Sequence, residues 1–353
     1  MRMLTLIFAA MTLFGSCAAS TIEPEHDSAT AQLMQKYDGN GPGASLLLLK
    51  DGKPLVRRGY GMANLEQHEQ ASPATNYRLA SVTKQFTAAA ILLLAEDGKL
   101  KLDDPIRHWL PSLPATTDKV TLRQLLSHTG GLIDYEDLMP ASTTEQLNDN
   151  DVLRLLAATP KSYFAPGTAY RYSNSGYVLL GLVVERASGE SLPDFLRQRI
   201  FAPLRMDHTL LHVRGGPEVS HRAYGYSEEN GVWKRTDQDL TSATRGDGGI
   251  YSSIDDLARW DAALYDDRLL SDASRKLAFS PHARVVGEPY PASYGFGWRI
   301  TGDTLWHSGE SIGFRNVIVR WPKQHLTVIL LSNRNGPEPY QTALKIAQPF
   351  LAH

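Results

Sequence analysis

His307-Ser308-Gly309-Glu310-Ser311-Ile312-Gly313 (HSGESIG) carries two catalytic signatures whose demands on the fold are incompatible. Gly309 to Gly313 spells G-x-S-x-G, a nucleophile elbow, which needs a strand before Ser311 and a helix after it so that a sharp turn lifts the hydroxyl clear of the sheet. His307-Ser308-Gly309 spells instead a strand motif lining a site whose nucleophile sits in a Ser-x-x-Lys far upstream. The residues after Ser311 separate the two. GFRNVIVRW reads as a strand, and downstream of Ser311 there is no Asp. Glu338 and then His353 are the only acid and histidine in elbow order, and His353 is the last residue of the sequence, where side chains fray.

The second reading requires a Ser-x-x-Lys, and Ser81-Val82-Thr83-Lys84 supplies one. With 26 serines and 12 lysines, about one such match is expected by chance, so its placement carries the argument. It opens the most apolar helix of the chain, expected over Val82 to Glu96 and stopped by Gly98. Ser81 then lies at a helix N-terminus, where backbone N–H groups and the positive dipole end favour developing negative charge. Lys84 returns to the same face three residues on, about 5–6 Å away between Cβ atoms. Burial lowers the pKa of a lysine toward the range where a neutral amine accepts the serine proton. Tyr172-Ser173-Asn174 is the only Tyr-x-Asn in the chain, after the turn-like Ala165-Pro166-Gly167 and before an apolar helix. A tyrosine whose pKa is depressed by cations can shuttle a proton, and an asparagine can fix a substrate amide or the lysine. Each has a plainer alternative: a lysine snorkelling from a buried helix, and a YSN packed locally at a helix start.

In this order the three motifs resemble the serine β-lactamase and penicillin-binding-protein superfamily, in its class C-like branch. RLASVTKQFTAAAILLLAEDGKL, LRQLLSHTGGL, FAPGTAYRYSNSGYVLLGLVVE, GGIYSSIDDLARW and YGFGWRI extend the resemblance from Ala31 to the end of the sequence. The resemblance implies an acyl-enzyme on Ser81, with Lys84 and Tyr172 sharing the proton traffic. It also implies an oxyanion held by the backbone N–H groups of Ser81 and Glu310, with Ser308 lining the site and Gly309 letting substrate approach the strand edge. No Glu-x-x-Leu-Asn occurs, which leaves Tyr172 to activate water. Where the β-lactamases of this branch carry lysine the chain has His307, which is similar to the DD-peptidase and esterase members. Arg299, in Tyr294-Gly295-Phe296-Gly297-Trp298-Arg299, matches an arginine that binds the peptide carboxylate in a DD-carboxypeptidase of the family; a surface strand arginine is the alternative. The function implied is an exported serine hydrolase acting on D-alanyl peptides or small carboxylic esters. A class C-type β-lactamase and a catalytically weak penicillin or peptidoglycan receptor are the competing readings.

The pattern around the motifs gives the α/β class. Ala44 to Lys50, a turn at Asp51-Gly52 and Leu55 to Tyr60 read as a hairpin. Tyr294 to Thr301, Thr304 to His307, Phe314 to Trp321 and His325 to Ser332 are strand-like, and Pro339 to Leu351 is helical. Between these ends lie Thr121-Leu122-Arg123-Gln124, a capping box, and helical stretches at Asp151 to Ala158, Asn174 to Ala187, Leu192 to Phe201 and Ser253 to Tyr265. The expected architecture is an antiparallel sheet built from both chain ends and flanked by helices (residues 31–80 and 245–353), with a mainly helical domain inserted at 81–244. His128-Thr129-Gly130 repeats the His-[Ser/Thr]-Gly pattern but precedes the tyrosine motif, and reads as a helix stop. His208 and His212 lack a third ligand, so no metal or other cofactor is called for.

The 353 residues hold 36 basic and 38 acidic side chains with no Lys/Arg-rich run, which steers away from nucleic acid and toward small-molecule or peptide substrates. The opening 20 residues have Arg2, an apolar run from Leu4 to Phe14 and small residues from Gly15 to Ser20, as an export signal does. Leu13 to Cys17 also resembles a lipoprotein box, so a membrane partner is expected only through lipid on Cys17. That residue is the chain's only cysteine. The polar stretch 21–30 reads as a linker.

Overall fold

ASLLLLK is apolar at consecutive positions, so as a strand it has to be covered on both faces. In the computed structural model, which describes residues 24–287 and 289–351, it is the strand β1 (Ala44–Lys50), buried at every position but Lys50. Seven further strands share its antiparallel sheet: β2 (Lys53–Tyr60), β3 (Ala283–Arg284), β4 (Ser293–Tyr294), β5 (Arg299–Thr301), β6 (Thr304–Ser311), β7 (Phe314–Trp321) and β8 (Leu326–Ser332). Their order is β3-β4-β5-β6-β7-β8-β1-β2. β1 pairs with β8 along its whole length, from Ala44 opposite Ser332 to Lys50 opposite Leu326. The sheet is thus assembled from both ends of the chain, as the strand pattern implied.

Alternation along the central strands divides the core. Leu46, Leu48, Val328 and Leu330 face one side, where α1 (Pro24–Met34) and α5 (Tyr340–Leu351) lie against each other and cover the sheet. Leu47, Leu49, Ile329 and Leu331 face the other, joining the larger core with α2 (Lys84–Glu96), α3 (Asn174–Ser188) and α4 (Ile254–Ala263). Lys84 to Leu94 is buried without a break, which is why the sequence of α2 is apolar all round. The capping box at Thr121 forms, its side chain accepting from Gln124 N and the Gln124 side chain from Thr121 N.

Three expectations need correction. The stretch 21–30, read as a linker, is helical from residue 24, because it belongs to α1, whose Thr30 and Met34 are buried in the covering layer. Tyr294 to Thr301 is two strands, with Gly295 to Trp298 as the bend between them. Gly297 turns there at φ +76°, and a Cβ on it would meet Lys84 O at 2.8 Å and Gln85 Cα at 2.9 Å, so the bend is pressed against the first turn of α2. The apolar helix expected to open at Val82 begins with a 3-10 turn, Ala80–Thr83, and becomes α-helical at Lys84. The expected export signal at residues 1–20, Cys17 included, lies outside the described residues.

Candidate active site

The turn that presents Ser81 is held from two directions. Tyr77–Arg78 pairs with Ile250–Ser252 in a small three-stranded sheet, and Leu79 N donates to Ile250 O at 2.8 Å. Ala80 then takes φ +49°, the left-handed region, which costs a non-glycine residue about 1–2 kcal/mol and persists only where the surroundings fix it. Ile250 N, donating to Thr83 Oγ1 at 3.2 Å, fixes the far end of the turn.

Lys84 is fully buried, and its Nζ donates to Ser81 Oγ at 3.0 Å, Asn174 Oδ1 at 2.8 Å and Asp247 O at 3.0 Å. Asn174 Oδ1 and the Asp247 carbonyl can only accept, whereas the Ser81 hydroxyl can donate or accept, so the same geometry also fits an amine that takes the Ser81 proton. Of the two uses foreseen for Asn174, the structure shows the lysine contact. Asn174 is itself held, its Nδ2 donating to Glu136 Oε1 at 2.8 Å and its backbone N to Asp134 Oδ2 at 2.5 Å. Burial first, and the neighbouring Asp134 second, push the Glu136 carboxyl above its ordinary range. Tyr172 extends from the segment just before α3, with Lys84 Nζ 5.0 Å from its ring centre.

Across the cleft, β6 supplies His307, Ser308 and the Glu310 backbone. Pairing with β5 ends at Trp306, whereas pairing with β7 continues to Ser311 opposite Phe314. Each hairpin has a two-residue loop, and antiparallel ladders alternate the edge to which successive N–H groups point. The N–H of Trp306 faces β5, so those of Ser308 and Glu310 face the same side, where no strand continues and Ser81 stands. Gly309 has a packing role that the sequence did not show. A Cβ there would lie 2.0 Å from Leu79 O, so the glycine lets β6 close on the turn that carries Ser81. Ser311 ends β6, and the chain turns straight into β7, not a helix, which excludes the elbow.

His307 is buried, its Nδ1 2.6 Å from Ser308 O and its Nε2 2.9 Å from Tyr294 Oη. A carbonyl oxygen can only accept, so Nδ1 carries the proton and Nε2 accepts from the phenol. Burial, then Arg299 and Lys84, hold its pKa well below the ordinary 6.5, and burial keeps the Tyr294 phenol protonated. His307 is therefore a neutral group in the site. Arg299, opposite Tyr294 in the ladder and buried, has its guanidinium 5.5 Å from the Tyr172 ring centre and 5.2 Å from that of Trp306.

His128, read from sequence as part of a helix stop, belongs to this neighbourhood. At φ +58° it folds its buried ring to 4.3 Å from that of Tyr172, and its Nδ1 accepts from Ser173 N at 3.2 Å. Burial first, then Lys84, lower its pKa well below 6.5. Glu136 and Asp247 were also missed. No spacing reveals Glu136, but Asp247 is flanked by Gly246, whose Cβ would meet Tyr177 O at 2.3 Å, and Gly248, which sits over Ala80. His208 and His212 lie against His221 and Tyr251 respectively. Among the described residues no group of three or more His, Cys, Asp or Glu could hold a metal ion.

The cleft has two lobes sharing Ser81 and Glu310. One, of about 430 Å³, is lined by Tyr172, Tyr290, Arg299, Trp306 and His307. The other, of about 200 Å³, holds Arg78, Glu136, Asn174, Asp239 and Asp247.

A family model described as beta-lactamase matches residues 26–350. Penicillin-binding protein 4* of Bacillus subtilis is 35% identical over 339 residues, 90% of this chain and 74% of its own length. The octameric penicillin-binding protein homologue from Pyrococcus abyssi superposes with a TM-score of 0.82 at 26% identity, covering 92% of this chain and 76% of that one. EstCE1, described as a hydrolase with promiscuous acyltransferase activity, shares the fold at a TM-score of 0.79 and 23% identity, covering 93% and 98%. With a family model spanning nearly the whole described chain, and a relative this similar, the chain belongs to the beta-lactamase family and is a serine hydrolase that works by acyl transfer.

Proposed function

We propose that the chain is an exported enzyme that forms its acyl-enzyme on Ser81 and acts on D-alanyl peptides, as a DD-carboxypeptidase does, or on small carboxylic esters. The observation that carries this reading is the neutral His307 beside Arg299. With no lysine at that position, the cation of the larger lobe is a guanidinium, whose planar fork suits the free carboxylate of a C-terminal D-alanine. In the first step Ser81 Oγ bonds to the substrate carbonyl carbon, and its proton passes to the Lys84–Tyr172 pair. The N–H groups of Ser81 and Glu310 hold the oxyanion. As the tetrahedral intermediate collapses, the bond to the leaving amine or alkoxide breaks and Tyr172 returns a proton to it. Water, deprotonated by Tyr172, then attacks the acyl carbon, the bond from that carbon to Ser81 Oγ breaks, and the proton held by Tyr172 passes to Oγ, releasing the acid and regenerating Ser81. A hydrolase of the ester class uses the same steps without Arg299.

The test is a panel of nitrocefin, p-nitrophenyl esters and a D-Ala-D-Ala peptide with the wild-type protein and Ser81→Ala, and with intact-mass detection of adducts. The expected result is Ser81-dependent turnover of the peptide or an ester, and slow nitrocefin turnover. Rapid nitrocefin hydrolysis favours the β-lactamase reading, and no Ser81-dependent rate with any substrate favours a receptor.

A further inference from the structure

His128 touches each residue of Arg171-Tyr172-Ser173, yet the mechanism above gives it no part. Its carbonyl oxygen accepts from Arg171 N at 3.1 Å, and its Nδ1 accepts from Ser173 N at 3.2 Å. Its ring packs on that of Tyr172, centres 4.3 Å and planes 35° apart. The tripeptide is thus gripped before Tyr172, after it and on the phenol ring itself. His128 is in turn held in place. Its N donates to Leu125 O at 3.2 Å at the end of the helix Leu122–Leu126, and Tyr177 Oη on α3 donates to Leu126 O at 2.8 Å. The rings of Tyr177 and Tyr294, 5.2 and 4.5 Å away, close the imidazole in.

Histidine is not the obvious residue for such a place. With Nδ1 accepting from a backbone N–H, the neutral ring carries its proton on Nε2, and that buried atom meets no hydrogen-bond partner among the described residues. An unpartnered buried N–H is costly. Phenylalanine would avoid the cost but leave Ser173 N without its acceptor. Asparagine, which suits a φ of +58°, would offer an acceptor but no ring. Only a neutral imidazole serves both ends, since a proton on Nδ1 would face the Ser173 N–H, and burial keeps it neutral. His128 lines neither lobe of the cleft, so whatever it does for the reaction passes through Tyr172.

We infer that His128 is a positioning residue, whose Nδ1 and ring face fix the Tyr172 phenol where it exchanges a proton with the leaving group. This rests on the acyl-transfer mechanism above and adds to it a residue that does not touch substrate.

Two esters with one acyl group separate positioning from general damage. p-Nitrophenolate leaves without being protonated, whereas ethoxide must take a proton as it leaves, so kcat/KM for ethyl butyrate depends more on Tyr172 than that for p-nitrophenyl butyrate. His128→Asn keeps an acceptor for Ser173 N and removes the ring; His128→Phe keeps a ring and removes the acceptor. After correction with Ser81→Ala, each is expected to lose about 10²-fold on the ethyl ester, the cost of misplacing a reacting group by about 1 Å, and less than about tenfold on the p-nitrophenyl ester. Equal losses on the two esters, or rates unchanged on both, overturn the positioning role and leave the hydrolase reading standing. Tyr172→Phe is the benchmark, and the same loss on both esters there removes Tyr172 as the leaving-group acid and this role with it. Crystal structures of the two variants need no turnover. A Tyr172 Oη displaced by about 1 Å is expected, and one that keeps its place in both variants overturns the role. Displacement in a protein with no Ser81-dependent rate keeps the grip of His128 on Tyr172 and removes the hydrolase reading.

Discussion

Replacing Gly309 by alanine adds one methyl group to a strand edge, and the structure fixes what that methyl meets. The added Cβ lies 2.0 Å from Leu79 O, and 3.2 Å from both Leu79 C and Val82 N. A carbon and a carbonyl oxygen approach no closer than about 3.3 Å, so β6 and the Ser81 turn must part by about 1.3 Å at this point. Both sides are backbone, so no rotamer change relieves the clash. β6 is laddered to β7 on its other edge, and the turn is tied to Ile250, so each partner resists the movement. On the proposed mechanism the oxyanion donors sit one on each side of this contact, Ser81 N on the turn and Glu310 N on the strand. Misplacing one by about 1 Å costs on the order of 10²-fold in rate, and losing one outright costs about 10²–10³-fold. Overpacking of this kind destabilises by about 1–3 kcal/mol, which leaves a folded protein to assay. The measurement is kcat/KM for p-nitrophenyl acetate, corrected with Ser81→Ala, alongside a urea unfolding curve. A folded Gly309→Ala whose Ser81-dependent rate stays within threefold of wild type would falsify the placement of the oxyanion donors.

His307 makes a pH prediction whose sign follows from its depressed pKa. The unfolded chain binds a proton near pH 6.5 that folded His307 does not, so its contribution to stability is full above that value and is lost as pH falls. The stability advantage of wild type over His307→Gln should therefore shrink below pH 6.5 by about 1.4 kcal/mol per pH unit, read from urea midpoints. Parallel curves from pH 7 to pH 5 would show that His307 titrates normally. Arg299→Ala should lower kcat/KM for a peptide with a free C-terminal carboxylate by about 10–10²-fold, the worth of one charge-assisted hydrogen bond, and that for p-nitrophenyl acetate far less. Equal losses on both would place Arg299 among the residues that shape the pocket and not among those that read the carboxylate.

Ser81, Lys84 and Asn174 were legible because their relation is local or nearly so. A three-residue spacing on a helical turn sets the first pair, and a helix start sets the third. The fold class was legible from the apolar run Leu46 to Leu49, which has to be covered on both faces. What stayed hidden depends on contacts between distant segments. Gly309 was explained by substrate access, because nothing in HSGESIG says that Leu79 O lies against it. His128 was set aside because its role comes from a left-handed backbone angle that turns the ring under Tyr172. Tyr294 to Thr301 reads as one strand from its composition, and only the press of α2 on Gly297 shows why it bends and sets Arg299 opposite Tyr294.

The pairing of β1 with β8 joins residues nearly 300 positions apart in the sequence. A sheet closed in this way has high contact order, and its core strands cannot dock until the last of them exists. Ser81, Lys84, Tyr172, Arg299 and His307 all precede β8 in the chain, yet β6, β7 and β8 must form one ladder before β6 has a seat beside the Ser81 turn. A chain interrupted before Leu326 would carry every one of those side chains and assemble no cleft. On the proposed mechanism, hydrolytic competence is thereby tied to completion of the sheet.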